Sequence, residues 1–348
     1  MPLQNYVQDI IEERRKAPLA KGVLLALSKF YRTGVSLRNH AYDRLWLKTF
    51  KSPLPVISVG NIVAGGTGKT PLIRLLLQEL TPECEVALLT RGYRSAIEKS
   101  GSVVNLAKSP SSPEVCGDEP FWLSSLFPKT AIWVGKNRIL SAQKAYEEGA
   151  ECLLLDDGMQ YRRLRRDLDI VVMDAQDLFG KNHYLPRGYL RDSRRRLAGA
   201  DLIVINHADS HFDSVCQKIA PYSQAPLVAM EMHLEGEFKN KKIGVFCGIG
   251  KPHHFVKGLR RDSSIVGELI SDDHCLPSEV ELAEFAKRCK AWGAEVLVCT
   301  EKDMVKLNKN LDFGLPIVAA KGYLRIVAGE EHWKNLIHKI KGMRDARN

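Results

Sequence analysis

The chain has 348 residues, 45% hydrophobic and 26% charged, the composition of a globular protein long enough for two domains of ordinary size. Lys and Arg number 51 against 41 Asp and Glu, a net charge of +10, which suggests an acidic partner: a nucleotide, a phosphorylated substrate, nucleic acid or an anionic membrane. Eight scattered cysteines make no Cys-x-x-Cys pair, so neither a zinc site nor a disulfide framework is indicated and a reducing cytoplasm fits, while the lack of any run of ~20 apolar residues excludes a helical membrane span.

In chain order, the N-terminal stretch is not expected to be a cleavable signal, because Asp9, Glu12 and Glu13 interrupt it early. Residues 21–38 read as an amphipathic helix. Val23, Leu24, Leu27, Phe30 and Tyr31 fall near one face, flanked by Lys21, Lys29, Arg32 and Arg38. That pattern suits an interfacial membrane helix or an ordinary helix packed on a core, and its modest amphipathicity favours the second.

A short apolar run, Leu54 to Val59, then leads into Val63-Ala-Gly-Gly-Thr-Gly-Lys-Thr70 and a helical stretch from Pro71. Strand, glycine loop and helix in that order are the context in which a Gly-Lys-Thr tripeptide binds nucleotide phosphates. Gly65, Gly66 and Gly68 let the backbone N–H groups around Thr67 turn inward on a phosphate. Lys69 supplies a point charge for the β and γ phosphates, and the Thr70 hydroxyl suits Mg²⁺. Val63 replaces the first glycine of the usual eight-residue pattern. A glycine turn that merely joins a strand to a helix is the plain structural alternative.

Strands are expected at 54–60, 85–90, 131–135, 151–155, 168–173, 200–205, 242–247, 295–300 and 316–320. Helices are expected at 69–80, 118–126, 137–148, 253–261, 278–292 and 330–340. This alternation predicts an α/β protein: a P-loop NTPase-type parallel-sheet domain over 1–225 and a smaller α/β domain over 226–348. Residues 226–234 and 316–328 are candidates for a short antiparallel β linker between the two. The Ser-rich 95–117 and Arg-rich 177–199 are the least structured segments and, as long loops, candidates for function.

Cys152-Leu-Leu-Leu155 followed by Asp156-Asp157-Gly158 reads as a buried strand ending in two carboxylates, where a P-loop protein needs an acid to hold Mg²⁺. Without the P-loop the same residues would read as a turn. Gly117-Asp118-Glu119-Pro120 opens a helix, so Asp118 is a helix cap or half of an acid–base pair. Asp272-Asp273-His274 could fix a histidine tautomer or bind a metal. Thr300-Glu301-Lys302-Asp303 has the spacing of a cap. Arginines crowd 162–166 and 187–196. Most are expected in solvent, and one or two could clamp a phosphorylated substrate. No aromatic-interleaved basic motif supports nucleic acid, and no obligate protein partner is evident.

These motifs, with Ser58-Val-Gly-Asn61, Thr90-Arg-Gly-Tyr93, Asp156-Asp-Gly-Met-Gln160, Arg166-Asp-Leu-Asp169, Leu185-Pro-x-Gly-x-Leu-Arg191 and Cys247-Gly-Ile-Gly250, resemble in order the tetraacyldisaccharide 4'-kinase family over roughly residues 20 to 340. The resemblance implies transfer of the γ phosphoryl of ATP to the 4'-hydroxyl of an acylated disaccharide 1-phosphate, giving lipid IVA in lipid A biosynthesis. It implies peripheral location on the cytoplasmic, anionic face of the inner membrane, and tips residues 21–38 toward membrane contact. It implies Asp118 and His274 as the dyad that accepts the hydroxyl proton. Placed in different domains, they would need closure to meet. Lys69 would stabilise the transferring group together with Mg²⁺, held by Thr70 and Asp157 with Asp156 nearby. Arg91, Arg138, Gln160 and Arg191 sit at matched positions for phosphate or sugar contacts. The chain departs from the family at Asp192 (usually Glu), Tyr189 (Pro), Tyr161 (His) and Cys275 (His or Tyr). The first of these puts a contact to metal or substrate in doubt.

Two other readings compete. Asn206-His207-Ala208-Asp209 partly mimics the guanine signature of a metallochaperone-type P-loop GTPase, with His207 in place of its lysine. A nucleotide-gated membrane adaptor is the non-enzymatic alternative.

Overall fold

In the computed structural model, residues 3–109, 111–208, 212–272, 275–307 and 312–345 are described. The N-terminal part carries helices α1 (Leu3–Ile11) and α2 (Pro18–Asp43), strand β1 (Val56–Gly60), α3 (Lys69–Leu80) and β2 (Val86–Thr90). Next come α4 (Ala96–Ser100), β3 (Val103–Asn105), α5 (Pro113–Cys116), α6 (Asp118–Leu126), β4 (Ala131–Gly135), α7 (Arg138–Glu147), β5 (Cys152–Asp156), β6 (Leu168–Asp174) and β7 (Leu202–Asn206). The remainder is α8 (Phe212–Ile219), β8 (Leu227–Glu235), β9 (Lys242–Cys247), α9 (Pro252–Leu259), β10 (Ser264–Ile270), α10 (Glu279–Ala291), β11 (Val296–Thr300), α11 (Glu301–Met304), β12 (Ile317–Ala328) and α12 (Glu330–Asp345).

The chain forms two compact units, and neither is continuous in sequence. The first comprises Met1–Thr90, Asn137–Glu231 and Ile326–Asn348, and the second Arg91–Lys136 and Met232–Arg325. A division at 225/226 therefore differs from the compact units in two respects. Residues 91–136 group with the C-terminal half, and the chain returns to the first unit with α12. One crossing between the units lies at 231/232, within β8. Both segments considered as a β linker are strands, β8 and β12, and each begins in one unit and ends in the other.

The first unit is built on parallel strands in the order β8-β7-β6-β1-β5-β2. Its central strand β1 (Val-Ile-Ser-Val-Gly) is buried at all five positions, as an apolar run covered on both faces must be. Helix α3 buries Leu72, Ile73, Leu76, Leu77 and Leu80, spaced three and four apart on one stripe. A core of Ile62, Val63, Met159, Val171, Met173, Ile203 and Ile205 lies on β6 and β7 and on the segments that follow β1 and β5.

The second unit carries the parallel order β10-β9-β11-β12 and the antiparallel pair β3–β4. One core packs Phe255, Val256 and Leu259 of α9 against the sheet, and another packs Leu282, Phe285 and Cys289 of α10. The start of α10 is fixed by a reciprocal cap: Glu281 N–H donates to Ser278 Oγ (3.3 Å) and Ser278 N–H to Glu281 Oε2 (2.8 Å).

Candidate functional site

The phosphate-loop sequence joins β1 to α3 as its residue pattern predicts. Gly68 is the residue before the helix and takes φ +91°, and a Cβ there would lie 2.2 Å from the Asn206 amide nitrogen. Glycine is thus required twice at this position, by conformation and by space. That amide, at the buried end of β7, donates to the Thr67 carbonyl at 2.7 Å. Asn206 therefore supports the loop from beneath instead of presenting itself to a base. Asp209 of the guanine-like signature lies outside the described residues.

Val63 explains its own departure from the glycine pattern. It is buried in the core and pairs with Leu190 in an antiparallel bridge. The neighbouring Ala64 N–H donates to the Tyr189 carbonyl at 2.7 Å. At this position the loop is extended backbone against residues 189–192, so a β-branched side chain fits.

Asn61, directly after β1, is a hub that residue patterns alone do not single out. Its Nδ2 donates to Thr67 Oγ1 at 2.8 Å, its carbonyl accepts from Gln160 Nε2 at 2.8 Å, and its Oδ1 accepts from Arg191 Nη2. Arg191 also grips Asp157 in fork geometry, Nη1 to Oδ2 at 3.1 Å and Nη2 to Oδ1 at 2.6 Å. Lys69 Nζ stands 3.4 Å from the same Oδ1. The structure thus gathers Lys69, Asp157, Gln160 and Arg191 at the ends of β1 and β5, whose register pairs Val59 with Asp156. Asp156 Oδ2 accepts the Thr90 hydroxyl at 2.9 Å. Thr70 is buried in the first turn of α3.

Electrostatics follow from this geometry. Burial pushes the Asp157 carboxyl up, but the charges of Lys69 and Arg191 outweigh it and hold the carboxyl well below the usual range. Burial likewise works against the Arg191 cation, and Asp157 reverses it, so its pKa rises. Asp157 also takes φ +51°, a backbone position that non-glycine residues seldom occupy and that concentrates at functional sites.

Arg138 is buried at the start of α7, its guanidinium 5.0 Å above the Tyr161 ring. The aromatic ring at 161 thereby serves as a platform for that cation. Asp192, the residue in place of the family glutamate, is fully buried. It accepts from Asn39 Nδ2 at 2.7 Å, Arg38 Nη2 at 3.1 Å and its neighbour Ser193 N–H at 2.8 Å. Its carboxylate is engaged by α2 and by the Ser193 backbone.

Arg91 and Asp118 belong to the second unit. Arg91 Nε pairs with Glu98. Asp118 is the first residue of α6, and the residue at the N-cap is Gly117. Asp118 Oδ2 is 2.5 Å from Lys306 Nζ, and the adjacent Glu119 pairs with Lys302. Thr300 caps α11, accepting from Asp303 N–H at 3.2 Å, as its spacing suggests. The buried Asp303 accepts from the Gly248 N–H at 3.3 Å. Asp118 shares a unit with the described chain on either side of residues 273 and 274. His274 and Asp273 themselves lie outside the described residues.

With this geometry in place, comparison with known proteins identifies the lineage. The profile of the tetraacyldisaccharide-1-P 4'-kinase family matches residues 20–341. The chain belongs to this family. Among its relatives, the tetraacyldisaccharide 4'-kinase of Chlamydia pneumoniae is 32% identical over 308 residues, 85% of this chain and 84% of that protein. The Pelobacter propionicus enzyme is 35% identical over 307 residues, 82% of each. The crystal structure of an "apo" form of LpxK from Aquifex aeolicus in complex with ATP superposes with a TM-score of 0.72 at 26% identity, covering 92% of this chain and 99% of that one. A member of this 4'-kinase family is a transferase of lipid A biosynthesis, which displaces the GTPase and adaptor readings.

Proposed function

We propose that the first unit binds ATP at residues 63–70 and that the chain transfers its γ phosphoryl to the 4'-hydroxyl of a tetraacyldisaccharide 1-phosphate. The observation that carries the proposal is the cluster at the end of β1 and β5: Lys69 and Arg191 converging on Asp157, with Asn61 tying Arg191 to the glycine loop. Phosphoryl transfer depends mainly on positioning and on neutralising charge. Lys69, on the first turn of α3, would meet the transferring phosphate. Arg191 and Gln160, both anchored on Asn61, would line the same side. Arg138 and Arg91 are the remaining candidates for phosphate or sugar.

The donor set suits a hard cation: the Thr70 hydroxyl and the Asp156 and Asp157 carboxylates offer oxygen only. Thr70, Asp156 and Asp157 would hold Mg²⁺, which would supply positive charge against that of the phosphates. His274, oriented by Asp118, would accept the hydroxyl proton, a contribution typically of ~10²–10⁴-fold. The Asp118 carboxylate itself is held by an ion pair to Lys306.

The acceptor's acyl chains would stay in the bilayer while the sugar reaches the site. Helix α2 fits peripheral binding to an anionic inner-membrane surface from the cytoplasmic side. Leu19, Val23, Leu27, Phe30 and Leu37 are exposed and fall along one stripe, opposite the stripe of Leu24, Val35 and Asn39 that is buried. Among the described residues, no helix is long and apolar enough to cross a membrane.

The deciding experiment incubates the purified chain with Mg-ATP and disaccharide 1-phosphate and looks for a bis-phosphorylated lipid. Lys69→Ala should abolish that product. Near-normal turnover by the variant would contradict the assignment of Lys69.

A further inference from the structure

Residues 189–192 lie between the N-terminal helices and the glycine loop, and are bonded to both. On the helix side, the Tyr189 hydroxyl donates to Glu12 Oε1 of the turn that ends α1 (2.9 Å), and the Tyr31 hydroxyl of α2 donates to the Arg191 carbonyl (3.3 Å). Arg38 and Asn39 of α2 donate to the Asp192 carboxylate at 3.1 and 2.7 Å. On the loop side, Ala64 N–H donates to the Tyr189 carbonyl (2.7 Å), and Arg191 N–H to the Ile62 carbonyl (2.8 Å). Val63 bridges Leu190. The Arg191 guanidinium then reaches Asp157 and Asn61, and Asn61 holds the Thr67 hydroxyl.

We propose that 189–192 is a strap through which α1 and α2 set the geometry of the phosphate loop, with Asp192 a positioning residue that acts through Arg191. The chemistry supports this division of labour. The Asp192 carboxylate is fully buried and spends its oxygens on α2 and on the N–H of Ser193, so it has no direct part in ligand binding. A buried carboxylate with several donors tolerates little displacement. Its neighbour in sequence, Arg191, inherits that fixed backbone while its side chain faces the phosphate site.

The proposal rests on ATP being held at 63–70, and the test separates the two ideas. ATP affinity of the full chain is measured by calorimetry without any lipid, with Tm recorded alongside, in a double-mutant cycle of Asp192→Asn and Arg191→Lys. Asp192→Asn is expected to weaken ATP binding about tenfold alone, and less than about twofold where Arg191 is already Lys, because its effect is transmitted through that side chain. Asp192→Glu should recover most of the loss. If Asp192→Asn does not fold, Asn39→Ala, which removes one donor to the same carboxylate, takes its place in the cycle. Equal losses in both backgrounds, or unchanged affinity beside a lowered Tm, would overturn the strap and leave Asp192 a residue of stability alone. No ATP binding by the unsubstituted chain would instead overturn the functional reading on which the strap depends.

Discussion

Replacing Arg191 by Ala removes the side chain that joins three parts of the site. Two charge-assisted hydrogen bonds to Asp157 and one to Asn61 disappear. A bond to a charged group is worth ~1.5–3 kcal/mol. The Asp157 side chain is 34% exposed, so water recovers part of the loss, and about 2 kcal/mol is the net destabilisation expected after that discount. If a similar 2–3 kcal/mol is lost from the transition state, kcat/KM falls about 30- to 150-fold. The pH profile supplies an independent check. Asp157 has a depressed pKa in the folded chain. It therefore contributes stability that is present above its unfolded value of ~3.9 and lost as pH falls below that toward the folded value. Without Arg191 the depression shrinks, because only Lys69 remains to offset burial. The acid limb of a Tm-against-pH curve should then move to higher pH and lose height. Steady-state kinetics with the disaccharide acceptor and thermal melts between about pH 2 and pH 5 read both effects. A variant within about threefold of the parent in kcat/KM, with its acid limb unmoved, would refute the reasoning.

Three further outcomes are expected. Gly68→Ala should lower ATP affinity more than tenfold, since it forces a Cβ onto the Asn206 amide 2.2 Å away at φ +91°; calorimetry that finds parental affinity would remove Gly68 from the loop argument. His274→Ala should lower kcat by about a hundredfold or more with little change in the KM for ATP, whereas an unchanged kcat would reassign the residue to structure. Phe30→Glu, on the exposed stripe of α2, should reduce sedimentation with anionic vesicles while leaving Tm within a degree or two of the parent; equal sedimentation would return α2 to a purely packing role.

The phosphate loop, the two carboxylates after β5 and nearly all the parallel strands could be read from the sequence because their signals are local. An apolar run, three glycines and a helical stripe follow one another without interruption. Other features depend on contacts that no short window contains. Asn61 matters because Thr67, Gln160 and Arg191 all reach it. Asp192 is legible as an acid after an arginine but not as a partner of Asn39, which lies 153 positions earlier. Strand β10 escapes notice because Gly267 and Glu268 interrupt it and it is half-exposed at a sheet edge. Strand β3 has only three residues. The grouping of 91–136 with the C-terminal half has no signature in composition, since no linker-like segment marks either crossing.

That interleaving limits how the protein can be dissected. The chain leaves the first unit at Thr90, comes back at Asn137, leaves again within β8 and returns within β12. A truncation after residue 225 would strip α12 from the first unit and amputate β8 at its root. It would also strand residues 91–136 without the 232–325 segment with which they cluster. No single scissor cut frees a minimal nucleotide-binding fragment. Isolating one would take a circular permutation or a deletion of 91–136 and 232–325 with two engineered bypasses.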